Sequence, residues 1–165
     1  MGFGGVIKMF IEFSDAFWEE RIPRTLKDLA FVFSDAAIPT WWSQLPKKTP
    51  LLTGWMGGSS TFKIPDSNDY LLDKALESLQ YIFNCDIETI RSRILNFQSA
   101  SWVHDPFACG AYAYPTIDTN EALDFIKKPL ADTVYFAGEA MYKGSAIGTV
   151  EAALHSGKEI AGALL

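Results

Sequence analysis

The sequence predicts an α+β fold, a mixed and largely antiparallel sheet packed with helices, and three observations carry that prediction. Strand-like patterns crowd the early part of the chain, helical patterns follow, and one strand–loop–helix unit closes it. Runs of strands followed by runs of helices build α+β layers rather than repeated βαβ units.

Residues 5–13 alternate: Ile7, Met9, Ile11 and Phe13 point one way, and Lys8, Phe10 and Glu12 the other. Period two marks a strand with one buried face. Phe17-Trp18 follows as an aromatic plug, and residues 29–33 form a second apolar strand ended by Ser34-Asp35. Trp41-Trp42 and residues 51–56 read as further strands, separated by the Pro46-Lys47-Lys48-Thr49-Pro50 turn. Gly57-Gly58-Ser59-Ser60 reads as a flexible exit from the last of them.

A helix opens at Asp66 or Ser67, either of which can accept a hydrogen bond from the free N–H groups of its first turn. Leu71, Leu72, Ala75, Leu76, Leu79, Ile82 and Phe83 recur at helical spacing and give it one apolar face, and Asn84 or Asp86 ends it. Residues 88–103 suit a short helix or a strand, and Asp105-Pro106 prevents a helix from continuing. Tyr112-Ala113-Tyr114-Pro115 is extended and then turns, residues 121–127 suit a short helix, and residues 133–137 read as a buried strand. The last helix would bury Val150, Ala153, Leu154, Gly157, Ala161 and Leu164. No repeat, low-complexity segment or interior boundary interrupts residues 1–165, which read as a single domain.

Hydrophobic residues make up 48% and aromatics 14% of the 165 residues, with 5 Trp and 12 Phe. Such a proportion implies an unusually aromatic core or a face that something else covers, and the second points to a homo-oligomer. A net charge of −6 without a Lys/Arg cluster argues against nucleic-acid partners. No stretch approaches the roughly 20 apolar residues of a membrane span. Cys85 and Cys109 lack metal-ligand spacing and read as free thiols of a reducing, cytoplasmic setting. The opening residues carry no signal-peptide pattern and enter a strand at once, which reads as a fragment of something larger.

The closing run Tyr135-Phe136-Ala137-Gly138-Glu139, followed by Gly148-Thr149-Val150-Glu151-Ala152-Ala153, sets a carboxylate beside a helix start. Helix N-termini offer free N–H groups and partial positive charge, which suit an electron-rich or anionic group. Taken alone, such a corner more often binds nothing. Three other segments change the reading: Gly4-Gly5-Val6-Ile7-Lys8 before Phe17-Trp18; Leu51-Leu52-Thr53-Gly54-Trp55-Met56-Gly57-Gly58; and the run from Ser101-Trp102-Val103-His104-Asp105-Pro106-Phe107 to Tyr112-Ala113-Tyr114. Together and in this order, the four segments resemble the C-terminal portion of the flavin-containing amine oxidases, monoamine- and polyamine-oxidase-like, with its substrate-binding domain and terminal strand–helix unit.

The resemblance implies roles residue by residue. Lys8, which on an alternating strand would otherwise read as a solvated side chain, matches the active-site lysine that holds a water near flavin N5. Trp102 matches an aromatic group lining the flavin. Gly138 and Glu139 match the residues that meet the ribityl and phosphate part of FAD, and Gly148, Thr149 and Val150 match the helix start that meets the pyrimidine carbonyl. Phe107, Tyr112 and Thr149 fall on the substrate side, Phe107 and Thr149 at positions where monoamine oxidases frame the amine with two tyrosines. The position at which those enzymes attach FAD to a cysteine falls on Ala111, with Cys109 two residues earlier, so the resemblance implies non-covalent FAD. The Asp105-to-Tyr114 run leans toward the polyamine oxidase type. His104 and His155 lack partner patterns and read as structural or surface residues.

One half of a flavin site is missing from the pattern. Complete members carry an N-terminal G-x-G-x-x-G linking strand to helix, whereas Gly2-Phe3-Gly4-Gly5 precedes a strand. Two expectations follow. The chain is the substrate-domain portion of an oxidase that takes hydride from an amine to flavin with O2 as reoxidant, inactive alone and retaining no FAD. Alternatively, it is a non-catalytic, self-associating module, or part of a related flavin enzyme such as protoporphyrinogen oxidase or phytoene desaturase.

Overall fold

A computed structural model describes residues 1–20 and 26–164. Its strands are β1 (Gly2–Phe3), β2 (Val6–Phe13), β3 (Phe31–Phe33), β4 (Thr40–Trp42), β5 (Leu51–Gly57), β6 (Ile94–Ser101) and β7 (Ala113–Tyr114). Its helices are α1 (Asn68–Phe83), α2 (Ile87–Arg91), α3 (Thr119–Ile126) and α4 (Val150–Leu164). These elements group into two compact units, Val6–Cys109 on one hand and Met1–Gly5 with Gly110–Leu165 on the other. Hydropathy patterning does not mark that division.

The Val6–Cys109 unit is built on a five-stranded sheet of order β3-β4-β5-β2-β6, antiparallel throughout. The alternation read in β2 is realised: Ile7, Met9, Ile11 and Phe13 are fully buried while Phe10 and Glu12 are exposed. Trp41 lies across Gly54, where a Cβ would stand 2.8 Å from the indole, so only glycine leaves room for the ring. The indole N–H donates to the Ile38 carbonyl at 3.2 Å, which satisfies the one polar atom of a buried side chain. The Phe17-Trp18 plug forms a short 3-10 turn whose rings meet Phe13 edge-on at 5.2 and 5.9 Å.

Helix α1 covers this buried face. The Ser67 hydroxyl accepts the Tyr70 N–H and opens the helix, and Asn84 ends it in the left-handed region at φ 47°. Its buried residues Leu71, Ala75, Leu76, Leu79 and Phe83 follow helical spacing. A buried hydrogen bond from the Ile38 N–H to the Ser78 hydroxyl, 2.9 Å, ties the helix to the loop between β3 and β4. Residues 88–103 resolve into both alternatives, helix α2 capped by the Asp86 carboxylate and then strand β6. The segment read as a flexible exit after Gly58 forms a 3-10 turn, Ser59–Lys63.

The second unit has a thinner interior. β1 pairs with β7, and Ala113, Leu123 and Ala152 are its buried hydrophobic side chains, with Thr119 and Ser156 beside them. Two expectations fail here. Residues 133–137 form no buried strand: a single bridge joins Leu130 to Val134, and Val134 and Phe136 are each 44% exposed. An apolar segment becomes a strand only where another offers it a ladder of hydrogen bonds. The apolar stripe of α4 is also not buried, since Val150, Leu154 and Leu164 are each more than 60% exposed and the helix buries Ala152 and Ser156 instead. Small side chains permit the close backbone approach on that side, and the larger stripe has no partner among the described residues. No helix among the described residues is long and apolar enough to cross a membrane.

Candidate functional site

The residues assigned to the site divide between the two units. In the Val6–Cys109 unit, register decides what surrounds Lys8. It faces Trp55 on β5 and Ala100 on β6, on the sheet face opposite the core. Trp102 leaves β6 with its N–H donating to the Val6 carbonyl at 3.1 Å, and the Lys8 ammonium lies 5.8 Å from its ring centroid. That is a cation–π contact, attractive because the ring face is negative. The Trp55 ring leans over Gly57, where a Cβ would stand 2.6 Å away. Lys8 is therefore half-buried, with its ammonium beside the Trp102 indole, Trp55 as its cross-strand neighbour, and no carboxylate partner among the described residues.

The same face continues as an aromatic surface. Pairing aligns Phe33, Thr40, Trp55 and Lys8 in one row, and Phe31, Trp42, Thr53 and Phe10 in the next. Phe31 and Phe33 stack at 6.1 Å, Phe31 meets Trp42 at 5.9 Å, and Phe31, Phe33 and Phe10 are exposed. Contiguous exposed aromatic area of this kind marks a surface that meets something apolar. The sequence reading took these residues only as strand residues; the signal available was the alternation of Phe31 and Phe33 around Val32.

Past Trp102 the chain turns through the Asp105-Pro106 corner. The Asp105 carboxylate accepts the N–H groups of Ala108 and Phe107 at 2.7 and 2.9 Å, which hold its pKa below the ordinary carboxylate value. His104 Nδ1 pairs with the Ser101 hydroxyl at 2.9 Å. Phe107 is 96% exposed, and Cys109 carries an exposed free thiol at φ 52°.

In the other unit Glu139 is half-buried, with Oε1 accepting the Ala113 N–H at 3.0 Å and Oε2 the Gly148 N–H at 2.8 Å. The N–H of Gly138 donates to the buried Ser156 hydroxyl at 3.2 Å. Gly148 takes φ +86°, and a Cβ there would stand 3.2 Å from the Ala113 carbonyl oxygen. Thr149 caps α4: its hydroxyl accepts the Ala152 N–H at 3.2 Å and donates to the Ala146 carbonyl at 2.7 Å. Thr149 and Val150 are exposed, and the N–H groups of Val150 and Glu151 take no acceptor among the described residues. The Tyr112 carbonyl accepts the Gly4 N–H at 2.7 Å, and its ring, 39% exposed, borders Gly4 and Gly148.

Each unit by itself offers a group that fits an electron-rich ring: the Lys8 ammonium beside Trp102 in the first, and the α4 start with its free Val150 and Glu151 N–H groups in the second. Among the described residues no cluster of His, Cys, Asp or Glu could hold a metal ion.

The whole chain, residues 1–165, matches the sequence profile of the family described as flavin containing amine oxidoreductase. The chain belongs to this family. Its fold resembles that of putrescine oxidase solved with putrescine bound, with a TM-score of 0.72 and 14% identity over 96% of this chain and 34% of that one. It also resembles cyclohexylamine oxidase from Brevibacterium oxydans, with a TM-score of 0.69 and 18% identity over 97% of this chain and 34% of that one. The amine-oxidase-like chain thus spans about a third of the length of these solved structures. No curated protein sequence matches it.

Proposed function

We propose that this chain provides the substrate side and a flavin-ring contact of an FAD-dependent amine oxidase, and that it is catalytically silent alone. The carrying observation is the Lys8 ammonium held over Trp102 at the edge of an aromatic sheet face. FAD, bound without a covalent link, would supply the two-electron acceptor for hydride from the amine α-carbon, with O2 as the final oxidant. Lys8 orients a water or a proton beside the reacting carbon. Trp102 supplies a flat apolar wall, and the free N–H groups at the Thr149–Val150 helix start favour negative charge on an electron-rich ring. Gly138, Glu139 and Gly148 frame that helix start, and Phe107, Tyr112 and Thr149 belong to the substrate side of this reading.

The aromatic face also bears on the amine. Glu12, toward the other end of β2 from Lys8, is the one acid among the described strand residues on that face. It suits an amine with an aryl or alkyl body better than a polyamine with several ammonium groups to neutralise, a shift from the polyamine type suggested by the Asp105-to-Tyr114 run.

A visible spectrum tests the silent state: purified chain mixed with FAD and desalted is expected to be colourless and to form no peroxide with an amine. A yellow protein that turns over would overturn it. In a complete, flavin-loaded enzyme carrying this segment, Lys8→Met is expected to slow stopped-flow flavin reduction or reoxidation by more than about tenfold, about 1.4 kcal/mol. Unchanged rates would remove Lys8 from the site. A second reading, a self-associating non-catalytic module, is favoured by the uncovered stripe of α4 at Val150, Leu154 and Leu164. Sedimentation showing a strict monomer at high concentration would sink it.

A further inference from the structure

Two N–H groups from segments far apart in sequence converge on one carboxylate. The Ala113 N–H belongs to strand β7, and the Gly148 N–H belongs to the loop entering α4. Each is served by a different oxygen of Glu139, at 3.0 and 2.8 Å. Gly148 rests directly against β7, with its Cβ position 3.2 Å from the Ala113 carbonyl. One residue before the carboxylate, the Gly138 N–H is taken by Ser156, which is buried on α4 itself. The 3-10 turn Glu139–Met141 is therefore pinned to β7, to the loop before α4, and to the body of α4.

We propose that Glu139 is a positioning residue: its carboxylate braces Gly148 against β7 and so sets the N-terminus of α4, with its cap Thr149 and free Val150 and Glu151 N–H groups. The physical case rests on the donor set. Bonds from backbone N–H to a carboxylate are charge-assisted and roughly twice as strong as neutral ones. Neither an amide nor a hydroxyl offers two acceptor atoms spaced to span both segments. Gly148 in the left-handed region has no side chain to pack, so its place against β7 depends on backbone bonds. Both oxygens are engaged by the chain itself, so Glu139 holds the helix end whatever further donor its remaining lone pairs accept. What the helix end is held for rests on the flavin reading above; the brace itself does not.

Amide hydrogen exchange on the flavin-free chain tests this directly. In Glu139→Ala, the Ala113 and Gly148 amides are expected to exchange at least about tenfold faster, while the buried Leu123 amide keeps its rate. Glu139→Gln keeps one acceptor oxygen, so one of the two amides should stay protected and the other should not. Wild-type rates at both amides in the alanine variant would overturn the proposal. So would an equal acceleration at Leu123, which would mean general loosening of the unit. Should the alanine variant fail to fold, scalar coupling across the hydrogen bond from Gly148 N to the Glu139 carboxyl carbon decides on the wild-type protein, and its absence refutes the brace. Because no flavin enters these measurements, their failure would leave the assignment of Lys8 and Trp102 standing.

Discussion

The two units of this chain are held together by different forces. Val6–Cys109 buries a continuous apolar core from Ile7 through Trp41 and Leu76 to Ile90. The unit formed by Met1–Gly5 and Gly110–Leu165 buries few hydrophobic side chains and is fastened by directed polar bonds: Glu139 to Ala113 and Gly148, Ser156 to Gly138, Lys127 to Glu159 at 2.8 Å and Lys143 to Asp124 at 2.6 Å. The two ion pairs are surface pairs and stabilise little. Apolar burial is non-directional and tolerates small shifts, whereas a carboxylate bridging two N–H groups fails when either moves. The first unit therefore carries Lys8 and Trp102 on a sheet backed by a continuous core, and the second depends on a few directed bonds for its helix end.

Three substitutions test that difference. Trp41→Ala removes the largest fully buried side chain, leaves a cavity over Gly54, and orphans the Ile38 carbonyl; chemical denaturation should show a loss of about 3–5 kcal/mol. A loss below about 1 kcal/mol would mean that the first unit does not rest on its core. Ser156→Ala leaves the Gly138 N–H without its acceptor and should cost about 1–3 kcal/mol. That loss should appear as faster exchange near Gly138, and a neutral result would show the second unit to be less dependent on polar bonds than the geometry indicates. The smallest effect concerns Asp105. The N–H groups of Ala108 and Phe107 lower its pKa in the folded chain, so their stabilisation is fully present above the ordinary carboxylate range, near about pH 4, and is lost as pH falls through the lower folded value. NMR titration should find the Asp105 carboxyl deprotonating below the ordinary carboxylate range, and Asp105→Asn should flatten that local acid response.

Local features were legible where a residue's chemistry acts on its own neighbours. Ser67 opened α1 because its hydroxyl reaches the Tyr70 N–H, and Asn84 ended it because asparagine tolerates the left-handed region. Strand β2 was legible because the buried sheet face enforces period two from Ile7 to Phe13. The four family-like segments likewise depend on local residue order. Misreadings arose where a partner was needed. Residues 133–137 had the composition of a strand and, apart from the Leu130–Val134 bridge, no ladder partner among the described residues, and α4 had an apolar stripe that stays exposed. Both failures share one cause: hydropathy records what a segment can bury, and burial needs a second surface.

The fold class and the family were thus written in residue order, because periodicity and motif spacing are properties of consecutive residues. The company Lys8 keeps was not. Trp55 on β5 and Trp102 beyond β6 come to its sides through antiparallel register, and Phe31, Phe33 and Trp42 join the same face through β3 and β4. The bridging of Ala113 and Gly148 by Glu139 is likewise a product of folding. Pairing between segments distant in sequence depends on which backbone hydrogen bonds form, and those become specified once the core has fixed the register.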